Sequence, residues 1–144
     1  MRIDGEWYLC DDGVVRPIIR GEVLNVNGFW EPVLFLVDTG ADRTVFSAAI
    51  LDVLGFQALE KVEKLGGIGG IAVSVAVKAQ IRLPCNDDRK AVFRGEYVAF
   101  ADLESLEISV LGRDLTEMFG VIVDRRAEVV CLLAQRHRYF IEES

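Results

Sequence analysis

Apolar residues along this chain fall into short runs rather than long periodic stripes, and that spacing predicts strands. Val14 to Val26 reads as a strand, Asn25-Val26-Asn27-Gly28 as a turn, and Phe29 to Val37 as the next strand. Asn27-Gly28 between β-rich runs is a hairpin signal, because both residues tolerate the backbone of a tight turn. Phe29 to Val37 is apolar almost without a break, which predicts burial on both faces. Ser47 to Leu54 reads instead as a short helix. Ser47 can cap its start, Ala48, Ala49 and Leu51 favour helix, and Gly55 suits the position just past its end.

Beyond the helix, Gly66-Gly67-Ile68-Gly69-Gly70 is followed by alternation through Ile71-Ala72-Val73-Ser74-Val75-Ala76-Val77, a strand leaving a glycine-rich turn. Another strand ends at Ile81-Arg82-Leu83-Pro84, with a loop at Asn86-Asp87-Asp88. Arg94 to Phe100 and Ile108 to Leu111 read as further strands. Arg113 to Phe119 reads as a second short helix closed by Gly120, and Val121–Val123 with Glu128–Leu133 as a closing hairpin. Many short strands at this spacing predict an all-β barrel or sandwich with one or two small helices. Residues 1–15, with a turn at Asp11-Asp12-Gly13, read as a peripheral arm. No linker, repeat or low-complexity stretch divides the 144 residues, so one domain is expected.

Composition narrows the function classes. Hydrophobic residues make up 51% and charged residues 27%, a globular balance rather than a disordered one. The net charge of −7 argues against nucleic acid or an anionic membrane surface as a partner. Arg136-His137-Arg138 is too short a basic cluster to change that, and reads as a solvated face. The three cysteines, Cys10, Cys85 and Cys131, are odd in number and lack CxxC spacing, so a disulfide framework is not expected and a reducing compartment fits. Asp4 and Glu6 stand where a signal peptide would be apolar, and no apolar run is long enough to span a bilayer. A cytoplasmic location is the expectation. His137 is the only histidine and nothing marks a partner for it, so neither a metal site, a cofactor nor a Ser-His or Cys-His nucleophile is expected.

The stretch that carries chemistry is Phe35-Leu36-Val37-Asp38-Thr39-Gly40-Ala41-Asp42. An apolar strand delivers Asp38 onto a turn, so the carboxylate sits at the end of a rigid element. Thr39 can hydrogen-bond to neighbouring backbone, and Gly40 permits close approach of a second backbone or a substrate. A bare Asp-Thr-Gly is also an ordinary turn; the three apolar residues before it and Ala41-Asp42 after it make the segment more specific.

These residues resemble the retropepsins, the retrovirus-type aspartic proteases, and their bacterial relatives. Three segments match in order: Asp38-Thr39-Gly40-Ala41-Asp42 is similar to the catalytic loop, Gly66-Gly67-Ile68-Gly69-Gly70 to the glycine-rich flap, and Ile108-Ser109-Val110-Leu111-Gly112-Arg113-Asp114 to the element before the C-terminal helix. The resemblance implies a closed β-barrel of the acid-protease type over residues 16–133, with an arm at 1–15 and an extension at 134–144. It implies an endopeptidase acting on peptide or protein substrates with Asp38 as catalytic residue. Thr39 would brace two loops against each other, Gly40, Ala41 and Gly112 would shape the loop, and Asp42 and Arg113 would form an ion pair beneath it. Gly66, Gly67, Ile68, Gly69 and Gly70 would form the flap over substrate, and Val37, Ile68, Ile71 and Val110 would contribute apolar subsites.

Aspartic proteolysis needs two carboxylates sharing one proton, because like charges about 3 Å apart cannot both ionise. No second Asp-Thr-Gly or Asp-Ser-Gly occurs: Asp102 precedes Leu103 and Asp124 precedes Arg125. The second carboxylate is therefore expected from a homodimer, whose two-fold axis sets Asp38 opposite its copy. Viral dimers of this family interleave both termini, and the longer termini here put that arrangement in question.

Other readings compete. Asp42 and Arg113 could be an ordinary surface ion pair. Gly67-Ile68-Gly69-Gly70-Ile71-Ala72 formally fits a dinucleotide fingerprint, but that motif must open a helix and a β-branched run follows. A tight turn with no lid role also remains open. The whole domain could be a non-catalytic module that dimerises or binds peptides, since folds are kept without their reactions.

Overall fold

The computed structural model describes residues 1–55, 59–67, 70–100, 108–134 and 142, with only the backbone path over 59–67 and 70–73. The long hairpin that organises the barrel joins β3 (Val15–Leu24) to β4 (Trp30–Val37). Its connection spans 25–29 and is wrapped around Asn25, whose Oδ1 accepts from Asn27 N and Phe29 N at 2.9 Å each. Gly28 takes φ +86°, which a side chain would resist. The hairpin is thus where Asn27-Gly28 places it, but Asn25 holds the loop.

After β5 (Val45–Phe46) comes α1 (Ala48–Leu54). The Ser47 hydroxyl accepts from Ile50 N, and Gly55 closes the helix with φ +66°. Both caps fall on the expected residues. β6 (Leu59–Gly67) and β7 (Gly70–Pro84) form the glycine-rich hairpin, with Gly67 paired to Gly70. β7 is one continuous strand where two were expected. Lys78-Ala79-Gln80 ends the apolar run but keeps the alternation: its backbone stays paired with β8 (Lys90–Phe100), and only Ala79 of the three points to the core, in line with Val77 and Ile81.

β9 (Ser109–Leu111) leads into α2, which covers only Arg113–Thr116. Residues Glu117 to Phe119 continue as turns, and Gly120 opens β10 (Gly120–Asp124) rather than closing a helix. β10 and β11 (Val129–Leu133) form the closing hairpin.

Strands β3, β4, β9, β5, β8 and β7 follow one another around a ring, and β7 pairs back onto β3 at Glu22↔Arg82 and Val23↔Ile81. That closure makes a six-stranded barrel and removes its free edges. The β4–β9 and β5–β8 pairs are parallel; the other pairs in the ring are antiparallel. Inside lie Ile19, Val23, Phe35, Phe46, Ile81 and Leu83, all fully buried. Phe46 packs against Phe35 at 6.2 Å and edge-on to Tyr97 at 5.9 Å between ring centroids. Each such pair adds about 0.5–1.5 kcal/mol beyond burial. β4 is not buried on both faces. Val33, Phe35 and Val37 face the core while Leu34 and Leu36 are half-buried, so the strand alternates as half-covered sheet does.

The N-terminal residues are not a peripheral arm. β1 (Arg2–Asp4) pairs with β11, and β2 (Glu6–Leu9) pairs with the first half of β3. Ile3 is fully buried in the main core, which explains why this segment docks. A second sheet results, in the order β1-β11-β10.

Candidate active site

β4 runs into the barrel's end and hands the chain to a loop at Asp38. The β4–β9 ladder extends one residue further, because Asp38 N donates to Leu111 O at 3.2 Å. Gly40 N donates to Asp38 Oδ1 at 2.9 Å and Ala41 N to Asp38 O at 3.2 Å. The first bond fixes the carboxylate's orientation; the second closes the turn. The loop is then tied to α2 by backbone bonds, Arg113 N to Ala41 O at 2.8 Å and Asp114 N to Asp42 O at 3.3 Å.

Beneath this loop is a polar network that the sequence did not announce. Thr44, fully buried, donates its hydroxyl to Asp114 Oδ1 at 2.6 Å, and its N–H reaches both Asp114 oxygens at 2.9 Å. The same hydroxyl accepts from Gly112 N at 3.1 Å. Gly112 leaves no room for a side chain: a Cβ there would lie 2.3 Å from both the carbonyl carbon and oxygen of Arg43. Alongside, Ser47 N donates to the Ser109 hydroxyl at 3.0 Å, joining β5 to β9 where only one residue pair connects them. Thr44 lies about seventy residues from Asp114 in the chain, so no local spacing reveals the pair. The one signal was Asp114 following Leu111-Gly112-Arg113.

Arg113 Nη2 donates to Asp42 Oδ1, so the structure brings these two side chains together. Both are open to solvent, Arg113 46% and Asp42 77% exposed, which makes the contact a weak one within a single chain. Thr39 is exposed, Asp38 half-buried. Ala41 packs on a small apolar cluster of Val45, Val98 and Val110, with Leu36 and Phe100.

A sequence model of one family, described as aspartyl protease, matches residues 23–115 and so spans β4, the Asp38 loop, the glycine-rich hairpin and Gly112-Arg113. The chain belongs to the aspartyl protease family. Among solved structures it is similar to a retropepsin-like aspartic protease from Rickettsia conorii, with 22% identity, TM-score 0.57, and 92% of this chain and 90% of that one covered. It is also similar to EIAV protease complexed with the inhibitor HBY-793, with 19% identity, TM-score 0.51, and 71% and 86% covered. No curated protein matches. The barrel of this aspartyl protease family member is of the retropepsin type, all-β with two short helices.

Against that fold the expected site residues divide. Asp38, Thr39, Gly40, Ala41, Asp42, Gly112 and Arg113 come together at one end of the barrel. Gly66, Gly67 and Gly70 belong to the β6–β7 hairpin, while Ile68 and Gly69 lie outside the described residues. Val37 does not line an open subsite, because its side chain points into the main core; Val110, paired with Leu36, points to the opposite face of the sheet, into the small apolar cluster beside Ala41 of the Asp38 loop. Only the backbone of Ile71 is described. A cavity of about 480 Å³ opens elsewhere, where β3 and β7 diverge beside Leu24, Gln80 and Arg94, and Asp38 does not line it. Asp102, His137 and the 135–141 stretch lie outside the described residues.

Proposed function

We propose that this chain is an aspartic endopeptidase that works as a homodimer, with one Asp38 from each copy. The observation that carries the reading is the setting of Asp38: a carboxylate at the end of a core strand, oriented by Gly40 N–H, on a loop fixed from below by Thr44, Gly112 and Asp114. Such a loop is held in place before substrate arrives, which is what precise positioning of a reacting group requires. With two copies the carboxylates share one proton. The ionised one takes a proton from water as general base, the water attacks the scissile carbonyl, and the protonated one polarises that carbonyl.

Thr39, exposed in one chain, then contacts the opposite loop. The β6–β7 hairpin with Gly66, Gly67 and Gly70 covers the substrate, and an extended peptide binds beneath it by backbone hydrogen bonds.

The test is cleavage of a denatured protein across pH by the native chain and by Asp38→Asn, each with and without a pepstatin-type inhibitor. The expected result is inhibitor-sensitive cleavage by the native chain and none by the variant. Equal cleavage by both, or none by either, overturns the reading.

A further inference from the structure

The barrel closes with a gap in its ladder. On one side β7 pairs with β8 from Ser74 to Pro84. On its other side it pairs with β6 as far as Ala76 and with β3 from Ile81, so residues 77–80 have no strand partner there among the described residues. The N–H and C=O groups of a strand alternate sides, so half of those of 77–80 turn toward the gap. The cavity of about 480 Å³ lies at this break, a size within the range of ligand pockets, about 300–1,000 Å³. Leu24 and Asn25, where β3 peels away from β7, form one of its walls.

The other wall is charged. Lys78 stands opposite Glu96 and Gln80 opposite Arg94, which sets the four on one face with the two cations diagonal to each other. Arg16, Arg20, Arg82 and Arg89 each meet a carboxylate at 2.5–2.8 Å. Arg94 meets an amide instead, its Nε donating to Gln80 Oε1 at 3.1 Å. Among the described residues neither Lys78 nor Arg94 forms an ion pair, although Glu96 is directly across from Lys78. In a chain of net charge −7, two exposed cations without a carboxylate, beside an open stretch of strand, mark a place for an incoming one.

We propose that this gap binds an extended, carboxylate-bearing peptide segment, which lies against β7 in line with β3 and β6 and sets its acidic side chain between Lys78 and Arg94. The segment's backbone takes up the groups of 77–80 that β3 and β6 leave, as an added strand does at a sheet edge. Glu96 repels a second acid on its side, so the favoured segment carries one acidic residue among neutral ones. The gap lies at the opposite end of the barrel from the Asp38 loop, because Leu24 pairs with Trp30 at the start of β4 and Asp38 follows its end. A role as a second hold on substrate rests on the endopeptidase reading; the binding itself does not.

The test is fluorescence anisotropy of a short labelled peptide of valine and serine with one central glutamate, and of its glutamine counterpart, on the Asp38→Asn chain, which leaves the peptide uncut. The same chain also carries Lys78→Gln with Arg94→Gln, or Glu96→Gln, with circular dichroism to confirm folding. The expected result is tighter binding of the glutamate peptide, weakened by added salt and weakened about tenfold by the double change. Glu96→Gln should tighten it, and amide exchange should slow within 77–80 when the peptide is added. Equal binding of the two peptides, binding unchanged by the double change, or protection only outside 77–80 overturns the proposal. Displacement of the peptide by an equal concentration of sodium glutarate also overturns it, because the gap would then take a free carboxylate and not a strand. If the peptide binds as expected while the native chain cleaves nothing, the catalytic reading fails and this site stands; if cleavage is inhibitor-sensitive and the peptide does not bind, the site fails alone.

Discussion

The floor of the Asp38 loop and the β10 edge are joined by a single turn of helix, yet they are built on opposite principles. The floor is finished within one chain. Gly112 is packed against Arg43 backbone, and the Thr44 hydroxyl and Asp114 carboxylate satisfy each other and the surrounding N–H groups. At the edge, β10 pairs among the described residues with β11 alone, and a core-facing valine meets solvent. The difference separates two tasks. Holding one carboxylate in place needs a network complete before anything binds, whereas bringing in a second carboxylate needs a surface that is complete only after binding. Substitutions on the two sides therefore differ in kind, with floor changes costing stability of the protomer and edge changes costing association.

The largest effect is expected at Gly112. Its φ of −94° suits any residue, so the obstacle is space, not backbone strain. Gly112→Ala forces a methyl against Arg43 carbonyl and Thr44 N, neither of which is a flexible side-chain end. The cost is about 3 kcal/mol, at the upper end of overpacking, read as a lowered midpoint in urea unfolding. An unchanged midpoint breaks the contrast, because the floor would then yield as easily as the edge.

Thr44→Val comes next. The change keeps shape and removes the hydroxyl, so Gly112 N–H loses its acceptor and Asp114 loses one donor in a buried setting. Leaving buried polar groups unpaired costs about 1–3 kcal/mol each. Unfolding measurements should show a loss within that range, with the dimer constant of the remaining folded protein unchanged. A shift in association larger than the shift in stability would place Thr44 with the edge instead.

How much of this was legible follows from the range of each interaction. Ser47, Gly55 and Asn27-Gly28 act on their own turns, so their residue types alone located α1 and the β3–β4 hairpin. Asp38 with Thr39 and Gly40 was legible for the same reason, as was Leu111-Gly112-Arg113. Thr44 and Asp114 were not: a threonine and an aspartate have no local pattern, and what matters is a tertiary bond across the barrel's end. The N-terminal strands were missed because Ile3 and its neighbours are too few to show a period, and only pairing with β11 gives them a place. Val37 was misassigned as a subsite because position next to a motif says nothing of which way a side chain points.

Tyr97 offers a smaller and pH-dependent probe of the floor. Burial pushes its phenol up to about 12, and the negative charge of Asp114 adds to the shift. The folded state thus holds the proton more tightly than the unfolded chain, whose phenol titrates near 10. The sign follows: this contribution is complete below pH 10 and is lost as pH rises from about 10 through about 12. Tyr97→Phe removes this contribution, so native and variant chains should differ in pH dependence only in that alkaline window. In the native chain one of the three tyrosines should form phenolate last. Asp114→Asn should bring that transition down, because one of its two causes is gone. A Tyr97 that titrates with the others would show the core beneath the floor open to water.

The smallest effect is expected at Arg113, and it sharpens the contrast most. Its side chain meets Asp42 and lies 3.9 Å from Glu117, but all three are largely exposed. Pairs of this kind contribute about 0–1 kcal/mol, and less as salt rises. Arg113→Met keeps most of the aliphatic stem and removes the charge, so protomer unfolding should shift by less than about 1 kcal/mol. A loss of several kcal/mol would mean that the pair belongs to the floor after all. Association and cleavage are the informative readouts. A dimer that closes over the loops takes water away from Asp42 and Arg113, and an ion pair that loses one partner in a desolvated place is costly where the same loss in water is not. If Arg113→Met leaves the protomer intact but weakens the dimer or slows cleavage tenfold or more, the pair is finished by the second copy. If it changes neither, the backbone bonds from Arg113 N and Asp114 N hold the loop by themselves, and the motif's arginine is dispensable here.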